Sequence, residues 1–212
     1  MKKSILLFMF IGLFISMNAQ DLQKIVLNAP SKNKGVNIME AFANRQSVRE
    51  YSNKALSMQE LSDLLWATIG INRPESGKTT APTANNKQEI SVYVAFAEGT
   101  YLYNAKEHAL IPVVKTDVRP LLASRQTSVL DAPIFLIITA DMTKFEGGAT
   151  DGSLRTAAMD AGIVSQNISL FCAGTGLATV CRGWMEAAAV KEALKLPETQ
   201  VILLNHPVGF AK

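Results

Sequence analysis

Residues 151–173 read as one long helix whose apolar positions, Leu154, Ala158, Ala161, Ile163 and Ile168, do not form a single clean stripe. A surface helix buries one face and solvates the other, so a helix apolar on most sides belongs in the middle of a domain or in an interface. The continuous apolar run at residues 134–140 stands shortly before it and reads as a central strand. Gly147-Gly148 separates the two, and Gly174 and Gly176 close the helix.

The remaining elements arrange themselves around that pair. Asn37 is a plausible N-cap for a short helix over residues 38–45, and Ser57-Met58-Gln59-Glu60 is a capping box opening a second helix that Gly70 stops. Residues 72–87 carry Pro74, Gly77 and Pro82 among small polar residues and read as a long loop, a kind of segment that is usually functional or disordered. Residues 90–97, 100–103 and 108–114 are closely spaced strand-like runs, which predicts an antiparallel meander. A helix over 117–126, a short strand over 178–181, a helix over 185–194 and a last strand over 201–204 follow. A meander mixed with helices and isolated strands predicts an α+β domain rather than a regular doubly wound sheet.

The first twenty residues form an address. Lys2 and Lys3 precede a greasy run over residues 5–15, and Met17-Asn18-Ala19 is a small-residue exit before polar Gln20 and Asp21. This is the layout of a secretory signal peptide cleaved after Ala19. About eleven apolar residues are too few to cross a bilayer, which needs roughly twenty. No cysteine follows the run, so lipid anchoring has no support either. The expectation is an exported, periplasmic or secreted protein, with residues 20–36 a polar N-terminal arm.

Composition excludes several classes. The chain has 212 residues, 48% hydrophobic, enough for a sizeable core and too many for a disordered chain. Formal charge is +3 and falls to +1 once Lys2 and Lys3 are set aside, which leaves no electrostatic footprint for nucleic acid. Two cysteines, Cys172 and Cys181, make either buried thiols or one disulfide, and cannot supply a four-thiolate zinc site.

Several motif matches fail on context. Gly174-Thr175-Gly176 follows a helix, where a dinucleotide loop must follow a strand. Ser31-Lys32-Asn33-Lys34, Ser165-Gln166-Asn167 and Lys78-Thr79-Thr80 imitate the penicillin-binding set, but in the wrong order. His108 reads as the solvent-side residue of a strand and His206 as a structural residue, and neither sits in a metal pair. No Gly-x-Ser-x-Gly elbow is present.

What remains is Arg45-Gln46-Ser47-Val48-Arg49, two guanidinium forks and a hydroxyl just after the first helix. These can clamp a phosphate bidentately, or the arginines can simply stabilise the negative pole of the helix. The loop Ala81-Pro82-Thr83-Ala84-Asn85-Asn86-Lys87-Gln88 offers amides and a rigid proline that can run along a flat heteroaromatic ring.

Taken with Met159-Asp160-Ala161-Gly162, Gln166-Asn167, Gly176-Leu177-Ala178-Thr179 and Leu204-Asn205-His206-Pro207-Val208-Gly209, these motifs resemble the nitroreductase-type flavoproteins in order and spacing from about Asn37 to the end. Leu61-Ser62-Asp63-Leu64-Leu65-Trp66-Ala67 and Gly99-Thr100-Tyr101-Leu102-Tyr103 are similar to the branch of azoline-oxidising dehydrogenases of peptide maturation. The resemblance implies a homodimer of three-layer α/β/α subunits, residues 37–212 forming one domain around a mainly antiparallel sheet, with FMN at the interface. It implies that Arg45, Ser47 and Arg49 hold the ribityl phosphate and the pyrimidine side, and that Pro82, Thr83, Ala84 and Asn86 come from the other subunit. It further implies that the turn Cys181-Arg182-Gly183 approaches the ring and that Lys212 is the one candidate for a further phosphate contact. No protein acid or base is expected to be catalytic, because the flavin carries the chemistry. The implied reaction is ping-pong NAD(P)H-dependent reduction of a nitroaromatic, quinone or similar acceptor. Rivals are azoline-type dehydrogenation of a peptide and a non-catalytic flavin-binding dimer.

Overall fold

The computed structural model describes residues 21–212. The proposed signal peptide, residues 1–19, lies outside the described residues. In chain order the elements are β1 (Ile25–Val26), α1 (Ile38–Asn44), β2 (Tyr51–Ser52), α2 (Met58–Ile69), β3 (Ile71–Arg73), β4 (Lys78–Thr79) and β5 (Ile90–Ala95). They continue with β6 (Thr100–Asn104), β7 (Ala109–Val114), α3 (Arg119–Ala123), β8 (Ile134–Asp141), α4 (Asp151–Thr175), β9 (Ala178–Thr179), α5 (Ala187–Ala193) and β10 (Gln200–Ala211).

The main sheet has eight strands in the order β1-β7-β6-β5-β8-β10-β2, with β9 paired to β10, and every pairing is antiparallel. The β5-β6-β7 meander is the one the close spacing predicts. The apolar run of β8 sits between β5 and β10 because both of its faces are buried. Leu136, Ile138 and Ala140 enter one core with Leu64 and Leu65 of α2 and Ala161, Val164 and Ile168 of α4. Phe135 and Ile137, pointing the other way, join Leu122 of α3 and Val190 of α5. A strand alternates its side chains between faces, so two cores on one strand make three layers. This is the α/β/α arrangement implied by the resemblance.

Helix ends follow local chemistry. Asn37 caps α1 by accepting from the Glu40 amide at 3.0 Å. The Ser57–Glu60 capping box opens α2 as the sequence predicts, and Thr150 with Ser153 forms a second box that opens α4. Gly176 ends α4 in the left-handed conformation, where a side chain would be strained. The buried Thr179 and Ser165 hydroxyls bracket His206, at 3.1 Å from Nδ1 and 2.8 Å from Nε2, tying β9 and α4 to β10. Burial pushes His206 down to about 3, so the ring stays neutral and structural.

The structure departs from the sequence reading in four places. The arm is not a loose appendage: β1 pairs with β7, Ser31 N–H donates to Asp63 Oδ1 at 2.7 Å, and Val36 N–H donates to the Gly174 carbonyl at 2.9 Å. The long loop contains a small hairpin, β3-β4. The last strand runs on to Ala211, because a ladder with β8 and β9 carries it past polar Asn205 and His206. His108 is half-buried rather than solvent-side. Its Nε2 lies 2.7 Å from Ser62 Oγ and its Nδ1 2.9 Å from the Tyr103 hydroxyl. Since Ser62 spends its proton on the Asn28 carbonyl, His108 Nε2 is the donor and Tyr103 donates to Nδ1.

Gly209 lies on β10 where a Cβ would sit 2.6 Å from Pro133 Cδ. A proline ring cannot rotate away, so Gly209→Ala is expected to cost about 1–3 kcal/mol through overpacking. Urea unfolding of the purified variant checks this, and an unchanged midpoint would show that the strand shifts freely.

Candidate functional site

Arg45 ends α1, its N–H donating to the Ala41 carbonyl at 3.0 Å, and the chain then continues extended. Val48 faces inward, packed against the core, and its N–H donates to the Thr179 carbonyl at 3.0 Å. The buried Tyr51 hydroxyl donates back to the Val48 carbonyl at 2.6 Å. With Val48 turned in, its neighbours Ser47 and Arg49 turn out, and Arg45 stands at the exposed end of α1. All three are exposed, and their side chains make no hydrogen bond or ion pair within the described residues. Two guanidinium groups and a hydroxyl on one pinned segment, left without internal partners, form a donor set suited to a phosphate.

Other predicted residues converge on the same edge. β2 pairs with the end of β10, and Lys212 N–H donates to the Glu50 carbonyl at 3.3 Å, so Lys212 stands beside Arg49-Glu50. Its ammonium is 3.9 Å from Asp131, an exposed pair that holds it weakly. A cavity of about 240 Å³ opens between Gln46 and Val48 on one side and Cys172, Gly176 and Leu177 on the other.

Arg182 is placed differently from its flanking residues. Its backbone bridges Asn205 in both directions, at 2.9 and 2.7 Å, and its side chain turns into the protein with 5% exposure. The guanidinium donates to the Leu122 and Ala123 carbonyls, Gln126 Oε1 and Asn205 Oδ1 at 2.7–2.9 Å. It is a core tie that spends four of its five N–H donors inside the protein. Cys181 and Gly183, on either side, are exposed. Both thiols are free, Cys172 buried and Cys181 exposed, which settles the disulfide question in this structure.

The loop bearing Pro82, Thr83, Ala84 and Asn86 stands elsewhere. Ala84 N–H donates to Asp160 Oδ2 at 2.8 Å, fixing the loop near the middle of α4. The arginine segment faces the C-terminal end of α4, around Cys172. At 1.5 Å rise per residue these points are roughly 18 Å apart along the helix. One chain therefore does not bring both predicted halves of the site together. Between them, α4 exposes Met159 and Ile163, and α1 exposes Ile38, Met39 and Phe42.

Sequence reasoning quoted Asp160 within a motif but gave it no role, and passed over Glu89 altogether. Both are buried. The available signal was the position of Asp160 among Ala157, Ala161 and Val164, a carboxyl on an otherwise apolar helix stripe.

These features define an α+β scaffold with an exposed arginine-bearing edge and a separate loop clamped to its central helix. The chain belongs to the Nitroreductase family, whose description matches residues 42–210. A Methanocaldococcus jannaschii protein that carries the nitroreductase name is 31% identical over 183 residues, covering 82% of this chain and 91% of that one. A crystal structure from Ralstonia eutropha JMP134, also titled as a nitroreductase, has 30% identity and a TM-score of 0.84, covering 89% and 90% of the two chains. The fold is shared as well by a chain of the E. coli microcin synthetase McbBCD complex with truncated pro-MccB17 bound. That match has a TM-score of 0.69 and 20% identity over 88% of this chain and 78% of that one. The NADPH:FMN oxidoreductase of Vibrio harveyi, complexed with NAD+, gives 0.63 and 20% over 84% and 70%.

Proposed function

We propose that the protein is an exported, homodimeric, FMN-dependent oxidoreductase that reduces nitroaromatics, quinones or similar acceptors with NAD(P)H as donor. The observation that carries this reading is the outward set Arg45, Ser47 and Arg49, fixed in backbone and unpartnered in side chain. The residues fit the cofactor: two forks and a hydroxyl for a phosphate, with Lys212 close enough to add a further charge. FMN, when bound, supplies hydride and electron transfer.

The chain's own part is to bind, orient and exclude. Arg45, Ser47 and Arg49 hold the phosphate, and Cys181 and Gly183 approach the ring from their exposed turn. Pro82, Thr83, Ala84 and Asn86 of a second copy complete the ring site, because within one chain they stand too far from the arginines. The exposed Met159 and Ile163 of α4 and Ile38, Met39 and Phe42 of α1 supply an apolar face for that copy. In an isologous interface each such residue is buried twice, so Ile163→Glu introduces two charges and is expected to give a monomer that loses flavin. Sedimentation of the variant, with the visible spectrum followed in the same run, checks both.

A second reading, oxidation of a peptide, is favoured by one feature besides the likeness to the microcin synthetase chain. Only a 3₁₀ turn at Met142–Lys144 and the turn around Gly147-Gly148 link β8 to α4. With so short a link there is little to close over a bulky substrate's path. Export rests on the layout of residues 1–19 and is part of the proposal. The deciding experiment is an absorbance spectrum of the protein from Gln20 onward, reconstituted with FMN and desalted. Retained flavin bleached by NADH or NADPH under nitrogen supports the reading and identifies the donor. Retained flavin that neither nucleotide bleaches moves the donor elsewhere, and no retained flavin overturns the cofactor assignment.

A further inference from the structure

The loop after β4 is held in an uncommon conformation. Asn85, Asn86 and Gln88 have φ of 52°, 53° and 50°, and none is glycine, so each carries a steric penalty. Two ties are local: Thr83 Oγ1 accepts from Gln88 N–H at 2.8 Å, and Gln88 Nε2 donates to the Gly77 carbonyl at 3.0 Å. The tie to the helix layer is Ala84 N–H to Asp160 on α4.

Asp160 does not stand alone. Glu89 follows the loop directly, is 1% exposed, and has no hydrogen bond of good geometry on either carboxyl oxygen. Two unpaired buried oxygens are costly if charged. Burial first, then the facing Asp160 carboxyl, raise Glu89 to about 7. Its own backbone amide and, more weakly, Lys87 on the loop pull the other way, and the Lys87 ammonium is directed to the Lys144 carbonyl and over the Phe145 ring. On β8, Asp141 donates its N–H to the Glu89 carbonyl, while its carboxylate is occupied by Thr143.

We propose that Glu89, holding its own proton, donates to Asp160 while Asp160 accepts from Ala84 N–H, a latch in which Glu89 is a positioning residue for the ring-facing loop. This rests on the reading of that loop as part of the flavin site. Glu89 keeps its proton in the closed state. Ionising Glu89 puts a second negative charge beside Asp160 in a buried place, and the two carboxylates repel. The loop then loses its anchor and relaxes from its left-handed residues.

The test is FMN titration by fluorescence quenching from pH 6 to 8.5 on the full mature wild type, E89Q, D160N and D160A. Hydrogen exchange of the Ala84 peptide in flavin-free protein, corrected for intrinsic rates, runs alongside. Wild-type affinity is expected to fall about tenfold as pH rises past Glu89 ionisation, the equivalent of one pK unit of differential interaction. E89Q and D160N, which keep a donor and an acceptor without a second charge, are expected to bind equally across the range. D160A is expected to bind at least about tenfold more weakly throughout. Ala84 protection should fall with pH in wild type, persist in E89Q and be lost in D160A. The same pH profile in wild type and E89Q overturns the latch, as does full Ala84 protection in D160A. Should D160A not fold, the wild-type, E89Q and D160N profiles decide. Should no variant take up FMN, the cofactor reading fails and the exchange data still judge the latch.

Discussion

Replacing Arg45 and Arg49 together by alanine is expected to weaken FMN binding by about two to four orders of magnitude with little loss of stability. Each hydrogen-bonded charge contributes roughly 1.5–3 kcal/mol, and a bidentate fork stands at the strong end. Neither side chain makes a hydrogen bond or ion pair within the described residues, so folding should change by no more than about 0.5 kcal/mol, as for other exposed surface positions. The single variants should each show a partial loss, and Arg→Lys should restore charge without restoring the fork. The measurement is flavin affinity by fluorescence quenching, with urea unfolding as the control. Unchanged affinity in the double variant would leave the arginines as partners of the helix end and remove the phosphate assignment.

Arg182→Ala is expected to do the reverse, costing roughly 3–5 kcal/mol of stability by breaking a buried, hydrogen-bonded charge site. The truncation strands the buried Leu122 and Ala123 carbonyls and Asn205 Oδ1, whereas the exposed Gln126 can turn to solvent. It also uncouples α3 from the β9–β10 corner. Arg182→Lys should recover only part of the loss, since three donors on a point charge cannot reproduce a planar fork. Urea midpoints at constant m-value measure it. A variant as stable as wild type would mean that the guanidinium is replaceable by solvent.

The contrast between Arg182 and its neighbours at 45 and 49 shows where sequence reading ends. Motif order places all three near a cofactor, but direction depends on pairing, and the Arg182–Asn205 bridge that turns the side chain inward is a contact across 23 positions. Local signals were fully legible: Ser57 with Glu60, Gly70, and Gly176 each act within one helical turn. The apolar run of β8 was legible because a strand buried on both faces needs no partner to announce it. The two residues of β1 were not, since so short a strand exists only through its ladder with β7. The hairpin β3-β4 and the tail of β10 were hidden for the same reason. Glu89 was invisible because a carboxyl normally signals solvent, and its burial follows from where α4 crosses the loop.

The strand order carries a last consequence. Both outer places in the main sheet, β1 and β2, are held by strands of two residues. A long bare edge offers unpaired amides and carbonyls to any passing extended chain and invites fibrous growth. Here the outermost strand at each side is a stub, the arm folding back over the first two residues of β7 on one side and the segment after the arginines pairing with the end of β10 on the other. Self-association of this molecule through backbone pairing is thereby discouraged, and contact between copies is left to side chains on its helices. A truncation that removed the arm would uncover Ala109 and Leu110 and leave all six residues of β7 as an edge, favouring aggregation.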